Sequence, residues 1–393
     1  MKKLFLPLLI LVLMLCLFSC RSDHPTDQEA VFNNEVPDRL PPPETDYEAA
    51  EVKWGYIDRN GRMVIPPAFD EARSFSEDLA VVRIGGRWGY IDKSGNKVIP
   101  PAFKGAWAFR DGIARVETYD AGFGFIDPGG EMVIAPVWED AGDFSEGLAW
   151  VRSGDRYGYI DRQGKLLIDT TLERAGDFTG QTAIARKEGK YGLLQKTGQW
   201  LIPPEYQRIS PPSEGLIRAR AGNRFGFLNE KEEWVIEPRF MDAQDFSDGH
   251  AVVADENGSY GLITADGEYS LAPDYEMIII AGENRWILGK NGFFGLSDAE
   301  GKMLTPIQYE QIYAFSEGVA PYLEGYLWGL LDTEGRPITP PQYGLLWPQK
   351  DGMARAAIRE GFTFINERGE LVIEPRFIDV KDFAEGLAAV QLR

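Results

Sequence analysis

Cysteine is almost absent from this chain: Cys16 and Cys20 are the only two, both within the first twenty residues. The rest of the sequence has no thiol for a disulfide framework, a thiolate-bound metal or a nucleophile. Histidine is equally scarce, with only His24 and His250. No Ser/His/Asp or Cys/His arrangement and no zinc spacing can be assembled from them. Positive charge is also short, 41 Lys and Arg against 61 Asp and Glu, for a net charge of −20. Such a surface repels phosphate backbones, which argues against a nucleic-acid partner. The expectation is a chain with no cofactor and no metal site. Its partner would be a protein or an extracellular polymer, of basic character if charge selects it.

The N-terminal stretch reads as a targeting segment, to be set aside before fold reasoning. Lys2 and Lys3 precede an apolar run from Leu4 to Phe18, short for a membrane span. Leu17-Phe18-Ser19-Cys20 resembles the bacterial lipobox, with residues 1–19 as signal peptide and Cys20 as the lipidated residue. Loss of Lys2 and Lys3 takes the charge to −22. Residues 20–52 carry Pro25, Pro37, Pro41, Pro42 and Pro43, with nine acidic residues against Arg21 and Arg39. Low hydrophobicity with charge of one sign predicts a disordered tether. A flexible chain of that length spans on the order of 30 Å. The expected location is the bacterial cell envelope, on the outer membrane where there are two, with the lipid as the only membrane contact.

From residue 53 onward the sequence repeats. An aromatic-Gly pair recurs at Trp54, Trp88, Phe123, Tyr157, Tyr191, Phe225, Tyr260, Phe294 and Trp328, and a tenth copy has Phe362-Thr363, at steps of 34 or 35 residues. Helical repeats of this period exist, but proline falls mid-copy, as at Pro66-Pro67, Pro100-Pro101 and Pro203-Pro204. Each such proline would cost a helix roughly 3 kcal/mol. Short runs of β-branched and aromatic residues between fixed glycines read as strands. Each copy supplies three: Trp54 to Ile57, Met63 to Ile65 and Leu79 to Val82 in the first. Asp58, Asp92, Asp127, Asp161, Asp298 and Asp332 start the first hairpin turn by accepting backbone N–H groups. One carboxylate per turn is too few for calcium. The hairpin glycine, present in nine of ten copies, is expected at positive φ.

Lys53 to Val82 resembles the repeat of the WG-repeat family of bacterial proteins nearly throughout, and the likeness extends over residues 53–390. The resemblance implies an envelope or surface setting and says little of activity. The predicted fold is all-β: ten three-stranded repeats over residues 53–393, stacked as an open twisted solenoid, with a closed propeller-like ring as the alternative. The leading function is a non-catalytic binding or scaffold module. The alternative is a surface enzyme acting on glycans through a carboxylate pair drawn from different repeats.

Departures from the repeat mark the candidate binding residues. Trp107, Tyr313 and Trp347 share a position that holds Arg73, Gln244 and Lys381 in other copies. Trp150 occupies an alternate position on a third strand. In the seventh copy the turn motif is lost and Trp286 stands where alanine is usual. All five are read as aromatics able to mark a recognition surface. His250, beside Gly249, reads as a partly buried substitution.

Overall fold

The computed structural model describes residues 52–392 of the compact unit Ala49–Arg393. The signal segment, Cys20 and nearly all of the tether lie outside the described residues. Among the described residues every regular element is a strand, gathered into ten small antiparallel sheets.

These sheets are the blades of a closed ring. The open solenoid is therefore replaced by its alternative, and strand pairing gives the reason. Trp54–Asp58 and Met63–Phe69 lie in one sheet with Asp379–Val380 and Leu387–Gln391. Trp54 faces Gln391 and Asp58 faces Leu387, so the first and last repeats share a blade. A blade is consequently not a repeat. It takes a short strand and the third strand from one copy, then the first and second strands from the next, as in Asp140–Ala141, Leu148–Ser153, Arg156–Asp161 and Leu166–Leu172. An array that starts on a first strand and ends on a third is half a blade short at each end, and the two halves complete each other.

The second strand does not stop at Ile65 but continues through the proline pair to Phe69, with a bulge there. Trp54 pairs with Phe69 while Tyr56 pairs with Ile65, so between these pairs one residue on one strand, Gly55, opposes three on the other. The bulge folds over Gly55: a Cβ there would lie 2.6 Å from the Ile65 carbonyl oxygen and 2.8 Å from the Pro67 nitrogen. This is why glycine follows the aromatic. In the tenth copy Thr363 stands in that place and its hydroxyl donates to the Ile373 carbonyl, the group a methyl would strike. The first hairpins match expectation. Asp58 accepts the N–H groups of Asn60 and Arg62, and Gly61 has φ 74°.

Each blade's core draws on its neighbours. Tyr56 meets Phe75 edge-on at 5.0 Å, and Phe125 meets Phe144 at 4.9 Å. Both pairs join the first strand of a repeat, in one blade, to the turn region of the next blade. The seventh copy contributes Met277–Gly282 and Arg285–Lys290 and the eighth Phe293–Ser297 to the one three-stranded sheet described. Where the others have a fourth strand it has isolated bridges, Phe294 to Tyr309 and Ser297 to Met303.

Candidate functional site

The Ser-Glu-Gly motif forms a two-residue hairpin with both central residues at positive φ, for example Glu146 at 55° and Gly147 at 84°. Glutamate is a poor residue for that conformation, which favours Gly, Asn and Asp. What the motif gains is contact between blades. The Ser76 hydroxyl donates to the Phe109 carbonyl of the next turn at 2.8 Å, and Ser145, Ser213 and Ser316 do the same to Phe178, Phe246 and Gln349. The glutamate carboxylate accepts N–H groups of the next turn: Glu77 from Gly112, Glu214 from Gly249, Glu283 from Gly318, Glu317 from Asp351 and Gly352. Glu385 closes the circle on Glu77 and Asp78. The turns thus form a partial belt around one rim of the ring, since among the described residues Glu146 takes no N–H from the fourth turn and Gly180 stands there in place of a glutamate.

Aspartate breaks the belt. Asp111, Asp248 and Asp351 hold the glutamate position, and their carboxylates, one methylene shorter, accept no N–H from a following turn among the described residues. In the second and ninth copies the serine is also replaced, by Arg110 and Lys350, so no hydroxyl reaches Phe144 or Phe383. The break after the second turn opens a shallow concavity of about 410 Å³ lined by Ser76, Glu77, Arg110, Asp111, Ser145 and Glu146, with Phe109 and Phe144 at its floor.

Trp107 and Trp347 belong to these same two copies. Trp107 packs on Phe123 at 5.7 Å, and the Arg115 guanidinium lies 4.1 Å from its ring centre. Trp347 packs on Phe362 at 6.0 Å with Arg355 at 4.6 Å. Each arginine also pairs with the aspartate ahead of the next turn, Arg115 with Asp143 at 3.2 Å and Arg355 with Asp382. Tyr313 stacks flat on Trp328, 4.8 Å apart. The shared position is therefore a packing layer over the aromatic of the next copy. Arg73 covers Trp88 and Lys381 covers Trp54 in the same way. Trp107, Tyr313 and Trp347 are half-buried rather than free platforms.

Trp150 reaches this layer from the neighbouring strand. Its ring packs on Tyr157 at 5.7 Å and fills the space above Gly142, the glycine its copy has at the layer position. Its indole N–H bonds Asp177. Asp177 keeps contact with solvent, yet the surrounding protein shields it enough to push its carboxyl above the ordinary range. Asp143 adds to that rise, while Trp150, Arg115 and Arg110 oppose it. Burial lowers Arg115 from its usual value, countered by Asp143, Asp140 and Asp177. The structure thus joins Trp107 and Trp150 through one chain of charges beside the concavity. Trp286 stands apart: it is 2% exposed, donates to the Ala299 carbonyl and touches His250 at 5.9 Å, so it is core and offers no surface.

A model of the WG containing repeat family matches residues 54–88, 88–120, 123–157, 157–191, 191–224, 225–258, 294–328, 328–360 and 362–393. The chain belongs to that family. The matches of the WG containing repeat model pass over the copy that holds Trp286, which supplies two strands of the three-stranded blade. No curated protein matches the sequence. Among solved structures, a eukaryotic initiation factor aligns at 11% identity over 81% of this chain and 94% of its own, with a TM-score of 0.43. BamB from Moraxella catarrhalis aligns at 11% identity over 83% and 97%, with a TM-score of 0.35. The WD40 β-propeller domain of Doa1 aligns at 11% identity over 65% and 92%, with a TM-score of 0.28.

The belt residues were missed as functional candidates because turn residues read locally as turn formers. Their signal was nonetheless present: Arg110-Asp111-Gly112 and Lys350-Asp351-Gly352 depart from Ser-Glu-Gly together with Trp107 and Trp347.

Proposed function

We propose that this protein is a non-catalytic binding module, held at the bacterial envelope by a lipid on Cys20, that engages a protein or polymer partner through the turn-bearing rim of its ring. The observation that supports this reading is the break after the second turn. There the belt gives way to a concavity built by three consecutive repeats, flanked by Trp107, Trp150 and the Arg115–Asp143 pair. The concavity is shallow and polar, suited to a protruding side chain rather than to enclosing a reacting bond. The acidic chain selects a partner with basic character and disfavours nucleic acid. Crosslinking on intact cells followed by mass spectrometry tests both parts. The expected result is an acylated Cys20 peptide and a discrete partner crosslinked through rim residues near Ser145. An uncleaved or unlipidated N-terminus would remove the anchoring, and partners crosslinked only through other faces would remove the rim.

A further inference from the structure

The ring contains two copies of one local arrangement. Trp107, Arg110, Asp111, Gly112 and Arg115 recur as Trp347, Lys350, Asp351, Gly352 and Arg355, with the same arginine-on-tryptophan packing and the same pairing to the next aspartate. Both copies break the belt, but only one break is empty. After the ninth turn, the Arg59 guanidinium from the first hairpin of the first copy pairs with Asp351 and lies 5.8 Å from the Phe383 ring centre. It follows a rule of the ring: a basic residue in a hairpin tip meets the belt acid two copies back. Lys93 meets Glu385 at 3.0 Å and Lys196 meets Glu146 at 3.4 Å.

At the break after the second turn the rule lapses. Arg162 holds the hairpin position equivalent to Arg59, but it makes no ion pair with Asp111 among the described residues, and both side chains are exposed. Asp111 thus keeps an unused carboxylate at the edge of the concavity, and Phe144 forms the floor that Phe383 forms under Arg59. The neighbouring cation Arg110 is no obstacle, since Lys350 precedes Asp351 in the same way in the filled copy.

We infer that this open break is a receptor for the guanidinium of an arginine presented by a partner protein, held by Asp111 over Phe144 as the chain's own Arg59 is held by Asp351 over Phe383. The inference rests on the rim-binding reading and names the side chain that the rim would take. A guanidinium suits the place better than an ammonium because its flat, weakly hydrated face tolerates an apolar floor while its edge meets the carboxylate.

The test is fluorescence anisotropy with the full chain and a fluorescein-labelled peptide of alternating glycine and arginine, against the same peptide with neutral citrulline for arginine. A charge-assisted bond of this kind predicts about a tenfold loss of affinity in Asp111→Asn. Asp248→Asn removes the same charge from an exposed belt aspartate outside the concavity and should leave affinity nearly unchanged. Equal losses in the two variants would show diffuse attraction by an acidic surface and overturn the inference, as would equal binding of the citrulline peptide or an unaltered Asp111→Asn. Such a failure leaves the crosslinking result on cells intact, so the two readings fail separately.

Discussion

The breaks after the second and ninth turns share a motif but differ in occupancy and surroundings. Around the ninth turn both aspartates have a cationic partner in the chain: Asp351 holds Arg59, and Asp382 holds Arg355. Around the second, Asp143 holds Arg115, but Asp111 is open and one further acid, Asp177, faces the cluster. The position of Asp177 is Ser74 at the corresponding distance from the ninth turn. One geometry therefore serves closure in one place and leaves an unmet need for positive charge in the other. A repeat protein can make a site by subtraction, by omitting from one copy a contact that its equivalents make.

Removing the shared floor should have the largest effect. Phe144 is buried against Phe125, and Phe144→Ala should cost about 3–5 kcal/mol. Because the ring is closed through the pairing of the first and last strands, hydrogen exchange should show protection falling in all blades together. Loss confined to the blades next to Phe144 would mean that the blades open independently. A smaller change would make the two breaks alike. Arg59→Ala removes a pair whose side chains are both well exposed, so stability should drop by less than about 1 kcal/mol. It vacates the ninth-turn break, and the arginine peptide should then bind at two equivalent sites instead of one. Unchanged stoichiometry would show that the two breaks differ in more than occupancy. The smallest effect is that of Asp177. A carboxyl raised in the folded state holds its proton more tightly than in the unfolded chain, so its contribution to stability falls as pH rises from the unfolded carboxylate range through the raised value. Asp177→Asn should therefore melt slightly higher than the parent at neutral pH, and the difference should vanish in acid. A difference independent of pH would assign the effect to the Trp150 bond rather than to charge.

The features legible in the sequence are those whose causes are local. The aromatic-Gly pair, the aspartate-led hairpins and the glycines at positive φ each depend on residues close along the chain, and the structure has them where the pattern puts them. Closure was not legible, since Trp54 meets Gln391 across almost the whole array and no local pattern distinguishes half a blade from a free end. The packing layer escaped for a similar reason. Trp107 is polar in other copies because arginine or lysine can cover the next aromatic as well, so variation at that position looked like exposure. Trp286 misled because a change from alanine to tryptophan suggests novelty, whereas here it fills the core of a blade that has lost its fourth strand.

The shared blade also sets an order of events. Trp54–Asp58 is among the first segments of the array to be synthesised, and its partner Leu387–Gln391 is among the last. Throughout synthesis, and throughout any passage across a membrane, the first strand waits with an open edge while nine other blades can assemble behind it. Ring closure is a late, single event, and a chain cut short by even its final strand would keep that edge available to another molecule.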